Sequence, residues 1–94
     1  MTYSIDESVI ARSIDHYGEE IQATVCMEEC AELIQAISKK KRGKIDRDNM
    51  AEEIADVLIC IEMLKQMYMI SEDKINKWIE KKQVREAERM EKNE

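Results

Sequence analysis

The sequence predicts an all-α protein, and two observations carry that prediction. Its 94 residues include two glycines, no proline and no phenylalanine, and the abundant Glu, Lys, Ile, Met and Ala favour helix almost throughout. Residues with helix-capping chemistry divide the chain into four segments. We expect a single domain over residues 1–94, near the size at which one core is barely sufficient. The predicted architecture is a small four-helix bundle-like protomer that assembles into a helical oligomer.

The first two helices are predicted from a capping pair and a glycine. Ser4, followed three residues later by Glu7, is a capping-box pattern. Gly18 is suited to end that helix, which would span about residues 5–17. A second helix is expected from about residue 19 to residue 40.

The last two helices are predicted from a charged connection and a serine. The segment KKKRGKIDRD reads as the connection and offers Asp46 or Asp48 as the N-cap of a third helix over about 47–69. Ser71 is the expected N-cap of a fourth helix, because acidic residues follow it directly. The charged C-terminal end, about residues 88–94, is expected to fray.

Composition limits the cellular setting and the partners. A net charge of −6 disfavours nucleic acid polymers as partners. No apolar run reaches membrane-spanning length and no signal-peptide pattern begins the chain, so we expect a cytoplasmic protein without a membrane partner. Cys26, Cys30 and Cys60 match neither a disulfide framework nor a common zinc spacing. They are predicted to be reduced core residues, with a metal or redox role as the alternative.

The third helix indicates self-association. Its run ADVLICIEML is apolar on most sides, which a helix on the surface of a small monomer would not tolerate. A homo-oligomer, either dimer or tetramer, would cover it. The alternative is that this helix is the central one of the bundle.

Acidic residues interrupt the apolar faces of the second and third helices. At 100° per residue, Glu29 and Glu32 fall within the apolar sector of the second helix, whereas Glu28 falls towards its polar side. Glu53 and Asp56 fall within the apolar sector of the third helix in the same way. The predicted polar sector of that helix consists of Glu62, Lys65 and Gln66.

Four carboxylates in an apolar interior require protons, basic partners or metal ions. Two facing helices that each present two acids from adjacent turns would form a cage of hard oxygen ligands, which selects Mg²⁺ or Mn²⁺ over zinc. Interhelical salt bridges with Lys or Arg are the alternative. A di-iron bundle would require Glu-x-x-His pairs, and the single histidine, His16, has no such glutamate.

These motifs resemble the MazG-like all-α nucleoside triphosphate pyrophosphohydrolases. The stretch EECAELIQAISKKKRGK, followed by EEIADVLICIEMLK, carries the resemblance, which covers roughly residues 20–85. That family has a Glu-x-x-Glu motif, a variable gap and a Glu-x-x-Asp motif whose acids bind Mg²⁺. Here the pairs Glu29/Glu32 and Glu53/Asp56 match, and the chain has the length of compact single-domain members, phage-type ones included.

The resemblance implies hydrolysis of a nucleoside triphosphate between its α and β phosphates, in several members as nucleotide-pool house-cleaning. The products would be a nucleoside monophosphate and pyrophosphate. Because no serine or cysteine is paired with a histidine base, water is the expected nucleophile. The four acids are predicted to be both metal ligands and catalytic residues, one of them serving as general base if it is not engaged with metal. The alternative is a non-catalytic helical oligomer, or a nucleotide- or metal-binding module with its acids in structural salt bridges.

A basic stripe on the fourth helix is the candidate phosphate-binding surface. At the 100° step, its four members lie within a sector roughly 80° wide. The resemblance implies that cations of this last helix hold phosphates, whereas an ordinary solvated face is the alternative. The members are Lys74, Lys77, Lys81 and Arg85.

Overall fold

The computed structural model describes residues 3–92 and confirms the predicted all-α class. Its four helices are α1 (Glu7–Tyr17), α2 (Glu19–Lys41), α3 (Arg47–Tyr68) and α4 (Glu72–Lys92). No strand occurs within residues 3–92.

The boundaries of α1 correct one prediction and confirm another. Asp6 is the N-cap, and its Oδ1 accepts hydrogen bonds from the backbone N–H groups of Ser8 and Val9 at 3.0 and 3.3 Å. The predicted Ser4/Glu7 capping box was wrong, because the carboxylate of Asp6 satisfies these N–H groups and its charge complements the positive end of the helix. Gly18 ends α1 as predicted, with a φ of 92° that favours glycine.

The predicted caps of α3 and α4 are confirmed. Asp46 Oδ1 accepts from the backbone N–H of Asn49 at 3.0 Å, and Ser71 Oγ accepts from that of Lys74 at 3.1 Å. At the C-terminal end, α4 extends to Lys92. Its last turns consist largely of strong helix formers, and the predicted fraying over residues 88–92 stays a prediction. The predicted fraying of residues 93–94 lies outside the described residues.

The core lies where α3 packs against both α1 and α2. Its buried members are Ile10, Cys26, Cys60, Met63 and Met67. The helix is therefore central, as the alternative reading of its apolar run proposed. Its apolar surface is nevertheless not fully covered within the protomer, since Ile54 and Ile61 are 42% and 44% exposed.

The predicted polar sector of α3 was wrong. Glu62 is buried and Lys65 and Gln66 are half-buried, because this side of α3 faces the start of α1. The side-chain amide of Gln66 donates to the carbonyl of Glu7 at 3.1 Å, and Lys65 Nζ lies 3.3 Å from Glu62 Oε1. These polar side chains of α3 therefore lie on the side that faces the start of α1, whereas some of its apolar side chains are exposed to solvent.

A shallow apolar groove runs along the outer side of α2 and α3. We call it the α2–α3 apolar groove, and its residues include Met27, Cys30, Ala31, Ile34, Leu64 and Tyr68. Cys30 is exposed there, which corrects its prediction as a core residue, because no helix of the protomer covers this side of α2. Cys26 and Cys60 are buried as predicted, and all three cysteines are free.

The fourth helix stands apart from the other three. Within residues 3–92 it has no buried side chain and no extended packing against α1, α2 or α3. An ion pair of 3.8 Å between Lys65 and Glu72 joins its first turn to α3. Over the same described residues, none of the four helices has the length and apolar character needed to cross a bilayer.

Candidate metal centre

Four carboxylates from α2 and α3 converge at one place. Each contributes one oxygen, and these four oxygens all lie within 4.8 Å of one another. The convergence follows from two local facts: the acids of each helix are separated by about one turn, and the two helices pack side by side. The members are Glu29 and Glu32 of α2 with Glu53 and Asp56 of α3.

The burial of these acids agrees with the helical-wheel prediction for three of the four. Glu53 is buried, with 8% of its surface exposed, and Glu29 and Asp56 are half-buried. Glu32 is exposed, so the predicted burial of this acid was wrong: its side chain lies on the solvent side of the cluster. The adjacent acids Glu28 and Glu52 are exposed, as expected for residues outside the site.

No basic side chain of the described residues forms an ion pair with the cluster. Among the ion pairs of residues 3–92, none includes any of the four acids. The salt-bridge alternative is therefore wrong for the protomer. Glu29 Oε2 and Glu53 Oε2 are buried without a hydrogen-bond partner, a costly arrangement for carboxylates that lack a counter-charge.

Burial, together with the nearby carboxylates, raises the proton affinity of Glu29 and Glu53. Burial, followed by the proximity of Asp56 and Glu32, raises the pKa of Glu29 to about 7. Burial and then the charge of Glu32 raise the pKa of Glu53. Among residues 3–92, no Lys or Arg forms an ion pair with these acids that would oppose the two effects.

The donor set fits a hard divalent cation. All four groups are carboxylates, and Mg²⁺ and Mn²⁺ prefer oxygen ligands of this kind. Two of these acids, Glu29 and Glu53, also have a buried oxygen without a hydrogen-bond partner. The structure thus brings together the four acids that were predicted as ligands, and their role as ligands stays a prediction.

One neighbour of the cluster was missed at the sequence level. The side-chain amide of Asn49 donates to Glu53 Oε1 at 3.5 Å. Among the described residues, it is the one hydrogen-bond donor to any of the four acids. The sequence could have indicated this contact, because Asn49 precedes Glu53 by four residues and therefore lies on the same face of α3.

The basic stripe is not brought to the acids within one protomer. Its members Lys74, Lys77, Lys81 and Arg85 are exposed along α4, which has no extended packing on α2 or α3. Lys77 lies 3.5 Å from Asp73, and Lys81 Nζ lies 5.1 Å from the ring centroid of Trp78. The phosphate-binding role of this stripe stays a prediction.

Comparison with known families identifies the class of protein that this fold and site define. The family model of the MazG nucleotide pyrophosphohydrolase domain matches residues 18–90, a span that includes α2, α3, all four acids and most of α4. The chain belongs to the MazG nucleotide pyrophosphohydrolase family, which confirms the resemblance found from its motifs. At the level of the family it is therefore a hydrolase. No curated protein and no solved structure matches the chain.

Proposed function

We propose that the protein is a Mg²⁺-dependent nucleoside triphosphate pyrophosphohydrolase that cleaves between the α and β phosphates. The products are a nucleoside monophosphate and pyrophosphate, and the proposed role is nucleotide-pool house-cleaning in the cytoplasm. The observation that supports this most directly is the convergence of four carboxylate oxygens, without a basic partner among the described residues, in a MazG-family chain.

Glu29, Glu32, Glu53 and Asp56 are the proposed metal ligands, with Mn²⁺ as a substitute for Mg²⁺. When bound, such an ion neutralises charge on phosphate oxygens and lowers the pKa of a water molecule. A carboxylate of the cluster that is not engaged with the ion serves as general base and accepts a proton from the attacking water. The four acids are thus both the metal site and the catalytic residues.

The basic stripe of α4 is proposed to bind the phosphates in an oligomer. A triphosphate carries more negative charge than one divalent ion neutralises, so cationic side chains are needed beside the acids. Because α4 has no extended packing within its own protomer, assembly is the proposed way to place Lys77, Lys81 and Arg85 beside a cluster. The exposed α2–α3 apolar groove supports a homo-oligomer, either a dimer or a tetramer.

The test is phosphorus NMR of the protein incubated with a panel of ribo- and deoxynucleoside triphosphates, with Mg²⁺ and with a chelator. We expect metal-dependent release of pyrophosphate and nucleoside monophosphate. The variant Glu53→Gln is expected to abolish turnover while keeping the fold, because it removes a repelled charge and one ligand without changing shape. Glu52→Gln is the matched control, because Glu52 is the adjacent, exposed acid of the same helix.

Two results would contradict the proposal. Tight nucleotide binding without any product across the panel would indicate a binding module. A loss of thermal stability in Glu53→Gln, equal with Mg²⁺ and with chelator, would indicate that Glu53 has a structural role.

A further inference from the structure

Asn49 links the start of α3 to the buried carboxylate of the metal centre. It is half-buried in the first turn, and its backbone N–H donates to Asp46 Oδ1 at 3.0 Å. Its side-chain Nδ2 donates to Glu53 Oε1 at 3.5 Å. The helix cap, the asparagine and the acid therefore form one chain of contacts.

Helix stability does not explain an asparagine at this position. Since Asp46 is the N-cap, Asn49 is the third residue of α3, where Glu or Gln completes a capping box and an acid gains from the helix dipole. Asparagine lacks the charge and the reach for either, and it is a poorer helix former than alanine. We therefore look for a role of this residue outside the helix itself.

The hydrogen bonding of Glu53 indicates this role. Its carboxylate is buried, Oε1 accepts the amide of Asn49, and Oε2 has no partner. An acid at residue 49 would add a fifth negative charge beside the four of the cluster, whereas an apolar residue would leave both oxygens of Glu53 unpartnered. A neutral donor is the side chain that orients this carboxylate without competing for a cation.

We infer that Asn49 is a positioning residue of the metal centre, an inference that rests on the proposed function. Its amide holds Glu53 through Oε1 and leaves Oε2 available to the cation. Groups that orient a metal ligand in this way typically contribute 10- to 100-fold to metal affinity. Asn49 acts through Glu53, and no contact with substrate is assigned to it.

The test is a titration of the protein with Mn²⁺. The concentration of the free ion is measured at each step from its electron paramagnetic resonance signal. We expect Asn49→Ala to weaken Mn²⁺ binding about tenfold. In chelator, its thermal midpoint should change little, because the higher helix propensity of alanine offsets the loss of the hydrogen bond to Glu53. Asn76→Ala, which removes an exposed asparagine from α4, is the matched control and should change Mn²⁺ affinity little.

Rescue by a longer amide separates the donor from the shape of the side chain. Asn49→Gln keeps a donor able to reach a carboxylate four residues on, so it should bind Mn²⁺ more tightly than Asn49→Ala. Equal affinity of Asn49→Ala and wild type would overturn the inference. So would a loss of stability of Asn49→Ala in chelator that parallels its loss of affinity, since this indicates a structural role.

Failure of the proposed function would give a different pattern. If wild type and Glu53→Gln bind Mn²⁺ equally weakly, there is no metal centre and the inference falls with it. If wild type binds tightly, Glu53→Gln binds weakly and Asn49→Ala matches wild type, the metal centre stands and the positioning role alone is overturned.

Discussion

Glu29 has a raised proton affinity because it is partly buried beside other carboxylates. Burial, Asp56 and Glu32 raise its pKa to about 7 from the ordinary value of 4.5. Between these values the folded protein binds more protons than the unfolded chain. The resulting stabilisation is fully present below about pH 4.5 and is lost as the pH rises through 7.

The metal-free protein is therefore expected to become less stable between pH 5 and pH 8. The measurement is urea denaturation in chelator at both pH values. Glu29→Gln, which cannot titrate, should show a smaller difference between the two, whereas Glu28→Gln, a change at the adjacent exposed acid, should behave as wild type. An undiminished pH dependence in Glu29→Gln would show that other groups cause it.

At the scale of the helix, the start of α3 depends on one side chain. Asp46 accepts the backbone N–H of Asn49, and α3 carries both Glu53 and Asp56. Removing an N-cap acceptor typically costs about 1 kcal/mol, whereas Asn caps about as well as Asp. Asp46→Ala is thus expected to lower the free energy of unfolding by about 1 kcal/mol, and Asp46→Asn to change it by only a few tenths.

Chemical denaturation of these two variants beside the wild type checks the role of the cap. If Asp46→Asn is destabilised as much as Asp46→Ala, then the negative charge of Asp46 matters and its hydrogen bond does not. The comparison uses metal-free protein, because a bound cation stabilises the folded state and would mask the difference.

The ends of the helices were largely predictable, because capping is local chemistry. Gly18 and Ser71 were assigned correctly from their residue types and neighbours, and Asp46 was one of the two candidates for the N-cap of α3. The start of α1 was not, since Ser4 and Asp6 both have capping chemistry and the sequence pattern alone did not rank them. The acid pairs were predictable for a similar reason, because the helical period separates Glu29 from Glu28 and Glu53 from Glu52.

At the scale of the whole molecule, the protomer leaves apolar surface without cover. Met27 and Ile34 of the α2–α3 apolar groove are 72% and 66% exposed, and α4 has no buried side chain. Exposed apolar surface of this kind marks sites of protein association. The α2–α3 apolar groove is the predicted interface, and it lies on the same two helices that carry the acids.

We expect the protein to sediment as a homo-oligomer, and Ile34→Glu to shift it towards smaller species because the change introduces a charge in the groove. Analytical ultracentrifugation measures both. Val9→Glu is the control: Val9 is also exposed, at 45%, but lies on α1 outside the groove. A wild type that sediments as a monomer would contradict the predicted oligomer, and equal shifts in both variants would argue against the groove as the interface.

The sequence by itself determined the all-α class, the four helices and the choice of acids, because composition, capping and helical period act within a few residues. Only the tertiary structure decided which side of α3 receives α1, and so buried Glu62 while leaving Ile54 and Ile61 exposed. It also decided that Glu32 is exposed, that Asn49 reaches Glu53 and that α4 stands apart. These features depend on the angles and offsets at which helices pack, or on the side-chain conformation adopted there. Such geometry is set by the sum of many weak contacts between distant residues, and no single local pattern encodes it.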